Sequence, residues 1–304
     1  MKPTPLAAAA FAALTLCAPV ASAQEAPLAA EQVATERFSV EIVGDGTRDV
    51  ILIPGLLSPR SVWDGQIETL LAAGSRVHLV QVNGFGDTDP GSNAEGPVLP
   101  FLVEGLARYI EERGIGEAHV VGHSMGGFTA LNLALERPDL VEEVMIVDSL
   151  PFFSVLMGMQ DAEAAKAQAA SMRDMMVAQA EVKMPAPDCA SPSPQARGMA
   201  KTPEAQCKVD LYTASADLAV GGHLMYDLMT TDLRPRLTGL QVPVTMLYPV
   251  DPPAITAEAA QGIYPVQYRG TPDITFVPVE GARHFIMLDQ PAATNEALRE
   301  FLAQ

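Results

Sequence analysis

The sequence has few cysteines and lacks the spacings that are typical of metal sites. Three cysteines occur among 304 residues, and neither a C-x-x-C pair nor an H-E-x-x-H motif is present. These are short patterns by which zinc sites are commonly found in a sequence. A metal site therefore has no support, and we expect no metal or organic cofactor.

Positive charge is also scarce. Lys and Arg together number 19 against 37 Asp and Glu, which gives a formal net charge of −18. A surface of this kind repels phosphate backbones, so a nucleic-acid partner is not expected. Polyanionic substrates such as acyl-coenzyme A are disfavoured for the same reason.

The chain has no apolar run of the length that a bilayer requires. The apolar stretch Leu6–Val20 falls short of the roughly 20 residues of a membrane-spanning helix. It follows Lys2 and precedes Ala21-Ser22-Ala23, which has the A-x-A form of a signal cleavage site. Residues 1–23 are therefore predicted to be a signal peptide. The mature protein is expected to be secreted or periplasmic, with cleavage near Ala23.

Loss of the signal peptide would leave two cysteines. Cys17 would be removed; a lipid anchor on it is disfavoured because Leu16 stands where a small residue would be expected. Cys189 and Cys207 would then meet in an oxidising compartment, and a disulfide between them is predicted. The alternative is a pair of buried thiols.

From residue 37 the sequence alternates segments typical of strands with segments typical of helices. Strands are predicted at Phe38–Val43, Val50–Ile53, Val77–Val82, Ala118–Val121, Val144–Val147, Val244–Tyr248 and Ile274–Val279. Helices are predicted around 62–71, 99–110, 128–135, 160–183, 225–233 and 292–302. This alternation predicts the α/β class, with a mostly parallel, doubly wound sheet covered by helices on both faces.

The alternation is interrupted once. Residues 151–222 contain no convincing strand, are rich in alanine and carry seven of the 14 methionines. We expect them to form a helical lid or cap inserted into a core made of residues 37–150 and 223–304. Residues 24–36 are expected to be a disordered or loosely held N-terminal arm.

One motif predicts a nucleophile. Residues 120–128 run from an apolar strand into Gly-His-Ser-Met-Gly, followed by a helical pattern. In such a strand-turn-helix the serine sits on a strained turn, and the glycines lack the Cβ atoms that would collide across it. Ser124 is therefore the candidate nucleophile, with Gly122 and Gly126 as the glycines that the turn needs.

A serine hydroxyl needs a base, and the base needs an acid to orient it. Of the five histidines, His284 follows a predicted strand and a turn, where it can reach over the serine, so it is the candidate base. Asp251, in a turn at the end of the strand before it, is the candidate acid. Asp148, at the end of the strand that precedes the insertion, is the alternative.

The other histidines are given lesser roles. His78 and His119 lie in predicted strands, His123 occupies the variable position of the serine motif, and His223 could at most touch a substrate.

The negative charge that develops on a substrate carbonyl needs hydrogen-bond donors. The backbone N–H of Met125, at the start of the helix, is one candidate. The second is the N–H of Leu56, in the loop after Ile53, where Gly55 allows close approach.

These residues together resemble the α/β-hydrolase superfamily of lipases and esterases over residues 38–303. The resemblance is carried by ILIPGLLSPRSVW, GIGEAHVVGHSMGGFTALNLALERPDLVEEVMIVDS, LRPRLTGLQVPVTMLYPVDPP and VEGARHFIMLDQPAATNEALREFL. It implies Ser124, Asp251 and His284 as a catalytic triad and the insertion as a lid. Three departures are the Pro54-Gly55 pair in place of His-Gly, the Pro249-Val250 pair before Asp251, and Arg283 where glycine commonly precedes the histidine.

The expected function is therefore that of a secreted serine hydrolase that cleaves a small carboxylic ester or lactone through an acyl-enzyme. A cofactor-free perhydrolase or haloperoxidase on the same triad is an alternative, as is a ligand-binding homologue of low turnover. Neither the acyl and alcohol groups of the substrate nor the oligomeric state follows from the sequence.

Overall fold

The computed structural model describes residue 1, residues 30–182 and residues 186–303. Apart from Met1, the predicted signal peptide lies outside the described residues. Among the described residues, no helix combines the length and the apolar character that crossing a membrane would demand.

One sheet forms the centre of the molecule, in the strand order β1-β2-β4-β3-β5-β6-β7-β8. The described strands are β1 (Glu31–Ala34), β2 (Phe38–Val43), β3 (Arg48–Ile53), β4 (Ser75–Val82), β5 (Ala118–His123), β6 (Val141–Val147), β7 (Val244–Val250) and β8 (Ile274–Glu280). Only the pairs of β2 with β1 and β4 are antiparallel; the remaining pairs are parallel. The predicted class and sheet are confirmed.

Helices cover both faces of this sheet. They are α1 (Asp64–Ala72), α2 (Leu99–Arg113), α3 (Met125–Glu136), α4 (Ala162–Ala180), α5 (Pro194–Met199), α6 (Pro203–Ala214), α7 (Leu218–Thr230), α8 (Ala257–Gln267), α9 (Ile286–Asp289) and α10 (Pro291–Phe301). Short 3-10 helices lie at Arg60–Trp63, Gly91–Glu95, Pro138–Leu140, Phe153–Met157 and Arg234–Gly239.

The central strands are apolar on both sides because each face of the sheet is covered. On one face, α2, α3 and α8 bury a core that includes Phe128, Leu131 and Ile146. On the other, α1 and α10 bury a core that includes Trp63 and Phe301. With both faces packed, the functional side chains are left to the loops that leave the carboxyl ends of the parallel strands.

The N-terminal arm is more ordered than the sequence suggests. Glu31–Ala34 forms β1, which pairs with β2 in the register Glu31 to Ile42 and Val33 to Val40. Glu31 also forms an ion pair with Arg113 of α2, with 2.9 Å between Oε1 and Nη2. The expectation of a disordered or loosely held arm is wrong for these four residues, because the backbone of β2 offers an open edge that they complete.

The insertion is helical, and its first helix is the long one that was predicted. Asp161 caps α4 by accepting from the Ala164 N–H at 2.9 Å. The helix crosses α7 where Gly221 and Gly222 leave room: a Cβ on Gly222 would meet the Arg173 carbonyl oxygen at 2.9 Å. The expected lid boundary at residue 222 falls inside α7.

The later part of the insertion contains a disulfide and also packs on the core. Cys189 and Cys207 form the predicted disulfide, with their Cα atoms 4.8 Å apart. Ala196 and Ala205, from α5 and α6, are buried in the same core as Trp63. The insertion therefore has two parts: α4, which lies on α7, and the pair α5 and α6, which lies on the core and whose second helix is joined by the disulfide to the loop before α5.

Candidate active site

Ser124 lies on the sharp turn between β5 and α3. Its backbone has φ 53° and ψ −117°, a left-handed conformation that is uncommon for a residue with a side chain. The turn is held from the neighbouring strand, because the Ser124 N–H donates to the carbonyl of Val147 at 2.9 Å. The strained turn that the motif predicts is present.

The glycines on either side make this turn possible. A Cβ on Gly122 would lie 2.2 Å from the carbonyl of Gly126, and a Cβ on Gly126 would lie 2.2 Å from the carbonyl oxygen of Ile53. Both distances are far below contact between carbon and backbone atoms. Strand, turn and helix can therefore pack this closely only with glycine at both positions.

His284 lies in the loop after β8, partly exposed, and its imidazole meets a carboxylate. Nδ1 of His284 is 2.7 Å from Oδ2 of Asp148. An ionised carboxylate only accepts hydrogen bonds, so Nδ1 carries the proton and Nε2 is left with a free lone pair. This is the tautomer that a general base requires.

His123 connects this histidine to the serine turn. Its Nε2 is 3.0 Å from the main-chain carbonyl of His284, and the two rings lie 4.6 Å apart. Complete burial lowers the pKa of His123 well below its ordinary value. The neutral ring therefore donates a hydrogen bond from Nε2. Because His123 directly precedes Ser124, this hydrogen bond holds the His284 backbone next to the serine turn. Sequence reasoning gave His123 no such role.

Asp148 ends β6, where the chain leaves the sheet. Its backbone also has a positive φ, 46°, and its N–H donates to the carbonyl of Leu247 at 2.9 Å. While Oδ2 faces His284, Oδ1 accepts a hydrogen bond from the Tyr264 hydroxyl of α8. Helix α8 and Tyr264 were both missed at the sequence level.

The pairing of Asp251 with His284 that the sequence predicted is not what the structure contains. Asp251 ends β7 as expected, but its Oδ1 is 2.8 Å from Nζ of Lys201 and its Oδ2 is 2.8 Å from Nε of Arg283. These two hydrogen bonds, Lys201 first, lower the pKa of Asp251. Both oxygens are occupied by cations, so the carboxylate that pairs with His284 is the alternative, Asp148.

Asp251 instead joins the insertion to the histidine loop. Lys201 lies between α5 and α6, and Arg283 directly precedes His284. Asp289 adds to this junction, since it accepts from the Lys201 N–H at 2.8 Å and from the Arg283 N–H at 3.0 Å. The N–H of Phe285 donates to the carbonyl of Met199 at 3.1 Å. Arg283, which stands where glycine is common in the family, thus helps to hold the histidine loop through its contacts with Asp251 and Asp289.

The loop after β3 lies against the serine turn. A Cβ on Gly55 would be 2.6 Å from Nδ1 of His123 and 3.4 Å from Cβ of Ser124, so the loop approaches as closely as the sequence suggests. Leu56 follows directly. Met125 begins α3, where the first N–H groups have no acceptor within the helix. Both backbone donors that were predicted are therefore carried by segments next to Ser124.

The insertion covers this same loop. Leu57, which has a positive φ of 59°, packs on α7: a Cβ on Gly221 would lie 2.5 Å from Cδ2 of Leu57 and 3.0 Å from Cε of Met176. One methionine of the insertion thus lies at the edge of the site.

The other histidines lie elsewhere. His78 is buried between Asp49 and Tyr109, with 2.7 Å to each, and His119 is buried against Phe301. His223 packs against Gly96. The first two are therefore buried residues of the strands in which the sequence places them.

The fold and the site can now be compared with known proteins. A model of the α/β hydrolase family matches residues 50–297. The chain belongs to the α/β hydrolase family.

Among curated relatives, a pimeloyl-(acyl-carrier protein) methyl ester esterase from Aeromonas hydrophila is 37% identical over 115 residues, which cover 38% of this chain and 42% of the relative. The chain thus matches less than half of that relative's length.

Solved structures agree over nearly the whole chain. An esterase from Thermogutta terrifontis has a TM-score of 0.71 at 20% identity and covers 90% of this chain and 98% of its own. An enol-lactonase from Burkholderia xenovorans has a TM-score of 0.66 at 18% identity, with coverage of 90% and 100%. At these identities the likeness is one of fold.

Proposed function

We propose that this α/β hydrolase is a serine hydrolase that cleaves small carboxylic esters or lactones through an acyl-enzyme. The observation that carries the proposal is the pair formed by His284 and Asp148, which packs against His123, the residue directly before a serine held at φ 53°. An esterase among the relatives and an enol-lactonase among the structural neighbours support the ester or lactone bond as the target.

The proposed reaction assigns one role to each group. His284 accepts the Ser124 proton at Nε2 while Oγ attacks the substrate carbonyl, and Asp148 stabilises the imidazolium that forms. The N–H groups of Leu56 and Met125 donate to the oxyanion. The imidazolium then protonates the leaving alcohol, and water, activated by the same histidine, releases the acid from Ser124.

The nucleophile can be tested directly. A fluorophosphonate should label the native protein on Ser124 alone, and Ser124→Ala should lose esterase activity by at least about a thousandfold while it keeps its fold. Peptide mapping of the labelled protein and circular dichroism of the variant are the measurements. Labelling of a different serine, or turnover by Ser124→Ala, would contradict the mechanism.

The substrate class needs a separate measurement. p-Nitrophenyl esters of graded acyl length, assayed beside a panel of lactones, should give turnover that Ser124→Ala abolishes. Peracid formation from acetate and peroxide at a higher rate than ester cleavage would favour the perhydrolase alternative.

We also propose that the protein is exported and cleaved after Ala23. The proposal is supported by the apolar leader with its A-x-A site and by the disulfide between Cys189 and Cys207. Intact mass of protein recovered from outside the cytoplasm should correspond to a chain that begins at Gln24. An uncleaved chain in that fraction would contradict it.

A further inference from the structure

We propose that Tyr264 is a positioning residue of the catalytic site, which holds the Asp148 carboxylate in the orientation that His284 needs. The inference rests on the proposed function, since it assigns a task within the same triad. Its starting point is the hydrogen bond from the Tyr264 hydroxyl to Oδ1 of Asp148, on the opposite oxygen from the one that faces His284.

Tyr264 is itself firmly placed. It is 6% exposed, and its ring stacks on that of Tyr248 in β7, with centroids 5.0 Å apart and planes at 27°. One helical turn later, the hydroxyl of Tyr268 donates to the carbonyl of Ser149 at 3.1 Å. Helix α8 and the residue that caps its C-terminus therefore supply two hydroxyls to two consecutive residues after β6.

The end of β6 needs such support because Asp148 has a positive φ of 46°. A side chain on a backbone of this conformation is under strain and persists only where its surroundings fix it. The carboxylate is 12% exposed, so little water is available to satisfy the oxygen that His284 does not use. The tyrosine hydroxyl fills that position.

A neutral donor is the suitable partner for this oxygen. A lysine or arginine in its place would neutralise the carboxylate, as happens at Asp251, and the imidazolium that forms during catalysis would lose its counter-charge. A hydroxyl satisfies the oxygen and leaves the negative charge in place for His284. Among the described residues, the charged and titratable groups near Asp148 include His284, Tyr264 and, farther away, Tyr268, and His123 lies against the ring of His284.

Tyr264 remains a donor under all working conditions. Burial, and next the charge of Asp148, raise the pKa of Tyr264 far above its ordinary value. The hydroxyl therefore keeps its proton at neutral pH.

The experiment compares two conservative variants, one within α8 and one at its C-cap. Tyr264→Phe removes the hydroxyl on Asp148, and Tyr268→Phe removes the one on the Ser149 carbonyl. We expect Tyr264→Phe to lower kcat about ten- to a hundredfold with KM within about twofold, whereas Tyr268→Phe stays within about threefold of the wild type. Rates are normalised to folded protein by titration with the fluorophosphonate.

A pH profile separates positioning from a general loss of structure. Without the hydroxyl, the charge of Asp148 acts more strongly on His284 and favours the protonated imidazole, which cannot act as a base. The acidic limb of kcat should therefore move to higher pH in Tyr264→Phe and should stay in place in Tyr268→Phe. Equal kcat and equal profiles in the two variants would overturn the proposal.

A double variant decides whether Tyr264 acts through Asp148. In an Asp148→Asn background, adding Tyr264→Phe should change the rate of fluorophosphonate labelling less than about twofold. A further loss as large as in the wild-type background would show that the tyrosine acts independently. Failure of the proposed function is a distinct result, because the wild-type protein would then not be labelled on Ser124 at all.

Discussion

The ends of β6 and β7 lie side by side in the sheet, and each ends in an aspartate that the sequence makes a candidate for the same role. Asp148 receives a tyrosine hydroxyl and an imidazole, whereas Asp251 receives an ammonium and a guanidinium. A carboxylate that is to support a histidine must keep its charge and one free oxygen. Both aspartates directly follow a strand, which is a suitable place for a carboxylate that pairs with a histidine. Their partners from distant parts of the chain decide which of the two pairs with His284.

The largest expected effect separates the two aspartates in catalysis. Asp148→Asn should lower kcat about ten-thousandfold. The amide NH2 group that takes the place of Oδ2 can donate to Nδ1, and this favours the tautomer that cannot accept the serine proton. Asp251→Asn should retain kcat within about tenfold. Steady-state kinetics on the best ester of the panel measure both, and the opposite ranking would return the acid to β7.

The disulfide should matter for only one of the two strand ends. Lys201, the partner of Asp251, lies within the loop that Cys189 and Cys207 close. Removing that closure in the variant with both cysteines changed to serine should cost about 3 kcal/mol in the free energy of unfolding.

Two further measurements test where that loss falls. Proteolysis should begin between residues 186 and 208, and the pH profile of kcat that depends on Asp148 should be unchanged. The mature protein, denatured without reduction, should contain no titratable thiol. Two free thiols in exported protein would show that Cys189 and Cys207 are not joined.

A third effect concerns stability at the end of β7. Lys201 and Arg283 lower the pKa of Asp251, so its ion pairs stabilise the folded state above the unfolded-state pKa of the carboxyl and lose that effect as the pH falls through the lowered value. Asp251→Asn should therefore cost about 2 kcal/mol at pH 7. The difference from the wild type should shrink below pH 4. Urea unfolding at both pH values checks this, with exposed Glu258→Gln as the control; a difference that is independent of pH would argue against the ion pairs.

The smallest expected effect lies at the other end of β6. Burial raises the pKa of Glu143 to about 7, so the folded state favours its protonated form. That contribution is complete below the unfolded-state pKa and is lost as the pH rises toward 7.

Glu143→Gln should accordingly gain about 1 kcal/mol over the wild type at pH 8 and little at pH 4. The control is Glu117→Gln, an exposed carboxylate directly before the neighbouring strand β5. Equal behaviour of the two variants at pH 8 would contradict the buried, neutral form of Glu143.

Local patterns were sufficient for strands β2 to β8 and for the serine turn, whereas β1 was missed. The apolar runs of β3 to β8 and the glycines around Ser124 act through their immediate neighbours, and such effects can be read along the chain. Helix α8 was missed because Pro265 lies inside it, although Thr256 and the alanines after it are good signals for a helix start.

The choice between Asp148 and Asp251 could not be made from the sequence. Either one gives the chain order serine, aspartate, histidine, so order does not discriminate. What does discriminate is the arrival of Lys201 from the insertion and of Tyr264 from α8, and both are contacts between residues far apart in sequence. Arg283 was the one local signal, since a cation beside the histidine needs a counter-charge and Asp251 supplies it.

The packing of Leu57 on Gly221 also sets a limit on how this enzyme can be rebuilt. The cap and the loop after β3 share a surface, so neither is an independent module. A chimera that exchanged the cap for that of a relative would keep its geometry around Ser124 only if residues 54–57 and 218–222 were transferred as one unit. By contrast, α4 rests on α7 through small side chains, and its outward face can be redesigned without reaching the catalytic loops.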